Sequence, residues 1–180
     1  DDYMREQQNF FESALHQSFP AIHSDPEKLF QSMHYSLMSK GKRVRPILCF
    51  ATAECLGLSK DSVLPLAIAL ECIHVFSLIH DDLPCMDDDD FRRGQPTNHK
   101  VFGEACAILS GDALLAEAFV QLTRLDKTKF NPNAIIHVIA EVARATGAEG
   151  MIAGQVIDIE SEGQLISAER PKTTHTLNKR

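Results

Sequence analysis

Six carboxylates fall within ten residues in Asp81-Asp82-Leu83-Pro84-Cys85-Met86-Asp87-Asp88-Asp89-Asp90. Side chains of like charge at this density repel one another unless cations intervene. At the C-terminal end of a helix they also oppose its dipole, at about 0.3–1 kcal/mol each. Oxygen-only ligands suit Mg²⁺, which is held by one or two carboxylates and completes its shell with water and substrate phosphates. The chemistry implied is the binding of a phosphate ester. A solvated acidic loop is the plain alternative for a run of charge. Arg92 and Arg93 follow directly, and guanidinium groups hold phosphate oxygens by planar, bidentate hydrogen bonds. Metal and arginines together describe a diphosphate site.

Two further features support that reading. His74 precedes Asp81 by seven residues, so on one helix the two share a face, with Ser77 close by. A polar stripe across an apolar helix is costly in a dry core, and a cavity beside it is the simpler account. Lys40-Gly41-Lys42-Arg43-Val44-Arg45-Pro46 places four cations ahead of a predicted helix start, an arrangement suited to a second anion. It is not a P-loop, because the glycine spacing is wrong and Arg43 stands where serine or threonine is required. A lone His74 would more often be an ordinary core histidine, and the basic loop alone an ordinary solvated turn.

The elements that must position these groups read as helices. No stretch of strand length alternates with a period of two, and no Asn-Gly or Asp-Gly hairpin signal separates apolar runs. Helices are predicted over residues 3–17, from Asp25-Pro26-Glu27 to about Met38, from Pro46 to Gly57, and from about Ser62 to Asp82. Three more fit 105–125, 133–146 and roughly 147–159, with Asn131-Pro132 as cap and first position of the middle one. The apolar run from Val63 to Ile79 carries Pro65, Glu71 and His74. It therefore reads as a buried core helix rather than a membrane span.

Composition bounds the partners. The chain has 180 residues, 44% of them hydrophobic, enough for one domain with a core. Its 18 lysines and arginines stand against 25 acids for a net charge of -7, which offers no field for nucleic acid. Cys49, Cys55, Cys72, Cys85 and Cys106 show no C-x-x-C spacing and read as reduced core thiols. The first residues show no secretory pattern, so a cytoplasmic location is the default.

Taken in order, Gly41-Lys42-Arg43-Val44-Arg45-Pro46, the run from Glu71 to Gly94, Phe102-Gly103-Glu104-Ala105, Gly111-Asp112-Ala113-Leu114 and Gly154-Gln155-Val156-Ile157-Asp158-Ile159 resemble the trans-prenyl diphosphate synthases. Within that family the bacterial farnesyl diphosphate synthases are the nearest type. The resemblance implies an all-α antiparallel helix bundle of the isoprenoid synthase type around a deep cavity. It implies head-to-tail condensation of isopentenyl diphosphate with an allylic diphosphate, dimethylallyl or geranyl, to farnesyl diphosphate in a Mg²⁺-dependent homodimer. Carried over by position, Asp81 and Asp87 are the metal ligands, supported by Asp82, and Arg92 contacts the allylic diphosphate. Lys42, Arg45, His74 and Arg93 hold isopentenyl diphosphate. Phe76, five residues before Asp81, is the bulky floor that limits product length, and Pro84-Cys85 matches the insertion of bacterial farnesyl synthases. Gln155 and Asp158, three apart on a predicted helix, either face the cavity or make a structural hydrogen bond.

The family's second aspartate-rich motif has no counterpart after Arg93, and the chain closes at Asn178-Lys179-Arg180, where the family continues. Residues 1–180 are accordingly expected to be the N-terminal portion of a single isoprenoid synthase domain, whose C-terminal part is lacking. Competing readings are a geranylgeranyl diphosphate synthase and a non-catalytic diphosphate-binding subunit. A remote one is an HD-type phosphohydrolase built on His80-Asp81, with His34 and Asp158 as further ligands.

Overall fold

A computed structural model describes residues 2–19 and 25–161. The closing residues 178–180 lie outside the described residues. The chain divides into two compact units, residues 1–129 and 130–180. Unit one contains α1 (Asp2–Ser18), α2 (Glu27–Leu37), α3 (Val44–Cys55), a 3-10 turn (Lys60–Val63), α4 (Leu64–Asp81), β1 (Phe91–Arg92), β2 (Gln95–Pro96), α5 (Asn98–Phe102) and α6 (Glu104–Thr123). Unit two contains α7 (Pro132–Thr146) and α8 (Met151–Ser161).

Helix α4 is the hub of unit one. Ile68, Ala69, Cys72, Ile73, Val75, Phe76 and Ile79 are all buried. A helix apolar on every side is buried on every side. It packs against α2, α3 and most extensively α6. Helices α4 and α6 are each long and apolar enough to cross a membrane, yet most of that stretch of α4 is buried within the protein. The sequence reading of Val63 to Ile79 as a core helix describes what is observed.

Helix α6 meets α4 along Ala107, Gly111, Leu114 and Ala118, spaced three and four apart. Gly111 is needed there. A Cβ at this position would run into the His80 imidazole, which reaches over to place Nε2 3.0 Å from the carbonyl oxygen of Ile108. On the other side of the hub, Phe50 of α3 is fully buried against Phe10 and Phe11 of α1, with ring centroids 5.5 and 6.3 Å apart. Between α2, α5 and α6 lies a closed polar network. Ser110 donates to Ser32 at 2.7 Å, Ser32 to Asn98 at 2.8 Å, and Asn98 to Ser36 at 2.8 Å.

Several boundaries differ from the sequence expectation. Helix α2 starts at Glu27, with Pro26 rather than Asp25 at the cap, because Pro26 has an extended ψ of 107°. Helix α3 starts at Val44 instead of Pro46. Its Pro46 lies in the first turn, where a missing N–H leaves no bond unmade. The cap of α7 is as expected, with the Asn131 side chain accepting from the Asn133 N–H at 2.9 Å.

The expectation of no strands is corrected by the β1–β2 hairpin, which pairs Phe91 with Pro96 and Arg92 with Gln95. Its two-residue turn, Arg93-Gly94, has φ of 55° and 78°. Both central residues are thus in the left-handed region that a tight hairpin of this hand requires. The ribbon is too short for apolar alternation, and arginine is not the residue that usually marks such a turn. The single-turn α5 was likewise not anticipated.

Replacing Gly111 with alanine forces His80 off the Ile108 carbonyl or parts α4 from α6. We expect a loss of about 1–3 kcal/mol in the denaturation midpoint of the intact protein, the usual range for overpacking. A loss below about 0.5 kcal/mol would show that the notch is not tight.

Candidate functional site

The Lys40–Arg45 loop follows α2, and its conformation is set by Arg43. This residue caps α3 in the left-handed region, with φ 48° and ψ 37°. Its guanidinium is fully buried and turned into the protein. It donates to Glu71 at 2.6 Å, to Glu12 at 2.7 Å, and to the carbonyl oxygens of Leu37 and Ser39 at 3.0 and 2.9 Å. The loop therefore offers three cations to an anion rather than the four its sequence suggests. The signal for this inward turn was Glu71, a carboxylate in the middle of an apolar helix that needs a buried partner.

Lys40, Lys42, Arg45, His74 and Arg93 line a cavity of about 660 Å³, and the Arg43–Glu71 pair also contributes to its wall. The structure thus gathers around one space the four side chains, from three separate segments, that the sequence assigned to isopentenyl diphosphate. Arg93 comes from the hairpin turn, and its Nη2 lies 3.4 Å from His74 Nε2. It rests against Gly41, where a Cβ would stand 2.5 Å from its Nη1. Gly41 is accordingly a position where a side chain would push the guanidinium out of the cavity wall.

His74 is held neutral. Burial first, then the charges of Arg45 and Arg93, push its pKa down to about 3. Ser77, on the same stripe, returns its hydroxyl to the His74 carbonyl oxygen at 2.8 Å.

The aspartate cluster occupies the C-terminal end of α4 and the loop beyond it. Asp81 is the last residue of the helix. The Asp87 amide donates to the Asp81 carbonyl oxygen at 2.8 Å, which closes the loop and brings the two residues together. Burial and the Asp87 charge raise the Asp81 carboxyl to about 6. A buried carboxyl that resists ionising beside a second acid presents the environment a small divalent cation relieves. Among the described residues no set of three or more histidines, cysteines and acids converges on a metal. Asp81 and Asp87 offer carboxylate oxygens, the donor type that Mg²⁺ takes.

Asp82 is buried and holds Arg92. The Arg92 Nε lies 2.7 and 2.9 Å from its two oxygens. Arg92 is thus anchored by a carboxylate while its side chain stays about a third exposed. Asp88 has φ 51°, so together with Arg43 and Arg93 three non-glycine residues with positive φ fall on the two charged loops and the hairpin turn. Asp90 is engaged away from the pair by Lys100 at 2.6 Å.

Phe76 is buried and stacks edge-on against His80, centroids 5.1 Å apart. His80 itself points to the Ile108 carbonyl, so its Nε2 is engaged where an HD-type metal site would need it. Gln155 and Asp158 lie on α8 in the second unit. Of the five cysteines only Cys72 is buried, while Cys55 and Cys85 are exposed. That corrects their reading as core thiols. All five are free.

With its pKa near 3, His74 stays uncharged in the folded protein where an unfolded histidine would protonate below about 6.5. Protonation therefore favours the unfolded chain, and this contribution to stability is lost as pH falls from about 6.5. His74 ring resonances should not titrate between pH 5 and 8. A midpoint inside that range would place Arg45 and Arg93 elsewhere.

The polyprenyl synthetase family matches residues 26–178. The chain is 46% identical to the farnesyl diphosphate synthase of Geobacillus stearothermophilus, over 97% of this chain and 59% of that one. It is 53% identical to the chloroplastic heterodimeric geranylgeranyl pyrophosphate synthase large subunit 1 of Arabidopsis thaliana, over 77% of this chain and 38% of that one. Among solved structures, a geranyltransferase from Legionella pneumophila superposes with a TM-score of 0.92 at 34% identity, over 97% of this chain and 62% of that one. The chain thus spans roughly two fifths to three fifths of the length of these relatives. From the matched residues, the shared all-α fold and the level of identity, the chain belongs to the polyprenyl synthetase family.

Proposed function

We propose that the protein joins isopentenyl diphosphate to an allylic diphosphate head to tail, giving farnesyl diphosphate. The observation that carries this reading is the placement of two unlike charged sites along α4. His74 belongs to a cavity ringed by cations, and Asp81, seven residues on, belongs to a carboxylate pair, about 10 Å further along the helix axis. A metal-free cationic site fits one diphosphate, and a carboxylate site needing a cation fits a second.

In this reading Lys42, Arg45 and Arg93 hold the isopentenyl diphosphate, and the neutral His74 accepts or donates one hydrogen bond without adding charge. Asp81 and Asp87 hold Mg²⁺, with Asp82 keeping Arg92 in place beside the allylic diphosphate. Mg²⁺, when bound, supplies the electrostatic stabilisation of the leaving diphosphate. The chain's own residues would hold the two substrates so that the isopentenyl double bond attacks the allylic carbon as diphosphate leaves, and the cation so formed loses a proton to restore a double bond. Residues 1–180 read as the N-terminal portion of one isoprenoid synthase domain. A homodimer is what the family resemblance implies, and five free thiols suit a reducing cytoplasm.

A longer product is the second reading, favoured by the 53% identity to a geranylgeranyl pyrophosphate synthase subunit. Phe76 favours the shorter one. It is a bulky, buried ring on α4, little more than a turn before Asp81.

Two substitutions in the intact protein test these roles. Asp81→Ala should lower Mg²⁺-dependent turnover by roughly a hundredfold or more, as loss of a metal-held charge stabiliser does. Near-normal turnover would remove Asp81 as a metal ligand. Phe76→Ala should shift the product to twenty carbons or longer when products are separated by chain length. An unchanged product would remove Phe76 as the floor.

A further inference from the structure

Helix α1 lies ahead of residues 26–178, the stretch that matches the family, yet one stripe of it reaches the cationic cavity. Met4, Gln8 and Glu12 are four residues apart and share a face. Met4 and Gln8 are in the cavity wall. Gln8 Nε2 donates to the Gly41 carbonyl oxygen at 2.8 Å. Glu12 accepts from Arg43, Nε at 2.7 Å and Nη2 at 3.3 Å.

These two contacts bracket Lys42. With the Gly41 carbonyl drawn to α1, the planar peptide that leads into Lys42 has a set orientation. With Arg43 drawn to Glu12 and Glu71, the residue after Lys42 is held in a left-handed conformation that few side chains adopt unaided. Gly41 is also the surface on which Arg93 rests. Glu12 carries no phosphate-binding chemistry of its own, since a carboxylate repels an anion, and one N–H of the Gln8 amide is committed to the Gly41 carbonyl.

We propose that Gln8 and Glu12 are positioning residues for the diphosphate held in the cationic cavity, acting through Gly41 and Arg43 on Lys42, Arg45 and Arg93. The proposal rests on the cavity being the isopentenyl diphosphate site. It makes α1 a working part of substrate selection and not only a cover for the core.

Steady-state kinetics of the intact protein test it, with isopentenyl diphosphate and the allylic diphosphate varied separately. Gln8→Ala and the similarly sized, uncharged Gln8→Met should each raise KM for isopentenyl diphosphate roughly three- to tenfold, the scale of one lost hydrogen bond. KM for the allylic diphosphate and kcat should stay within about twofold. Glu12→Gln, which keeps the shape and removes the charge from Arg43, should move the same constant in the same direction. A helix that only supports the core would show lower thermal stability with both KM values unmoved or raised alike, and either result overturns the proposal. Lys42→Ala separates the two levels. If it raises KM for isopentenyl diphosphate and the α1 variants do not, the proposal alone fails. If Lys42→Ala leaves that constant unchanged, the reading of the cavity fails and the proposal falls with it.

Discussion

A single buried guanidinium ties the first unit together. Arg43 has no exposed side-chain surface and spends its donors on Glu12 of α1, Glu71 of α4, the carbonyl of Leu37 at the end of α2 and that of Ser39 beyond it. Removing one partner of such a buried pair leaves a charge in the interior, at a cost of about 3–5 kcal/mol. The pair therefore specifies which way the loop turns. Because Arg43 faces in, Lys42 and Arg45 on either side of it are left exposed on the loop, in the wall of the cavity. The cavity is thus built from a structural arginine outward.

The second organising feature is that opposite charge problems are kept on one helix and solved differently. At His74 the surplus is positive, and the imidazole gives up its proton, since burial and neighbouring arginines both disfavour the charged form. At Asp81 the surplus is negative, and the carboxyl is pushed up to about 6 by burial and Asp87. Each site is thereby unstable toward the charge it already has and receptive to the opposite one. An anion suits the first and a cation the second. Arg92, held by Asp82, sits between these demands as a cation with a carboxylate of its own.

Close approach supplies the remaining precision. Gly111 admits the His80 ring between α4 and α6, and Gly41 admits the Arg93 guanidinium to the cavity wall. In both places a short side chain would displace a long polar one. The hairpin turn adds a backbone device to these steric ones. Arg93 takes a left-handed φ of 55°, which turns its side chain back toward His74 and away from the direction taken by Arg92, its neighbour in sequence.

By itself the sequence determined the all-α class, the core character of α4 and the two clusters of charge. These depend on local periodicity and on residue types whose chemistry is the same wherever the chain places them. The spacing of His74 and Asp81 on one helix face was legible for the same reason. Tertiary structure alone decided that Arg43 is structural while Lys42 is not, although the two are adjacent cations. It also decided that Arg93 joins His74 through an unheralded hairpin, and that α1 reaches the cavity through Gln8 and Glu12. Each of those outcomes depends on partners 19 to 33 residues away in the chain. A local pattern cannot report a distant partner, because the free energy that selects it arises only when burial removes the alternative of water.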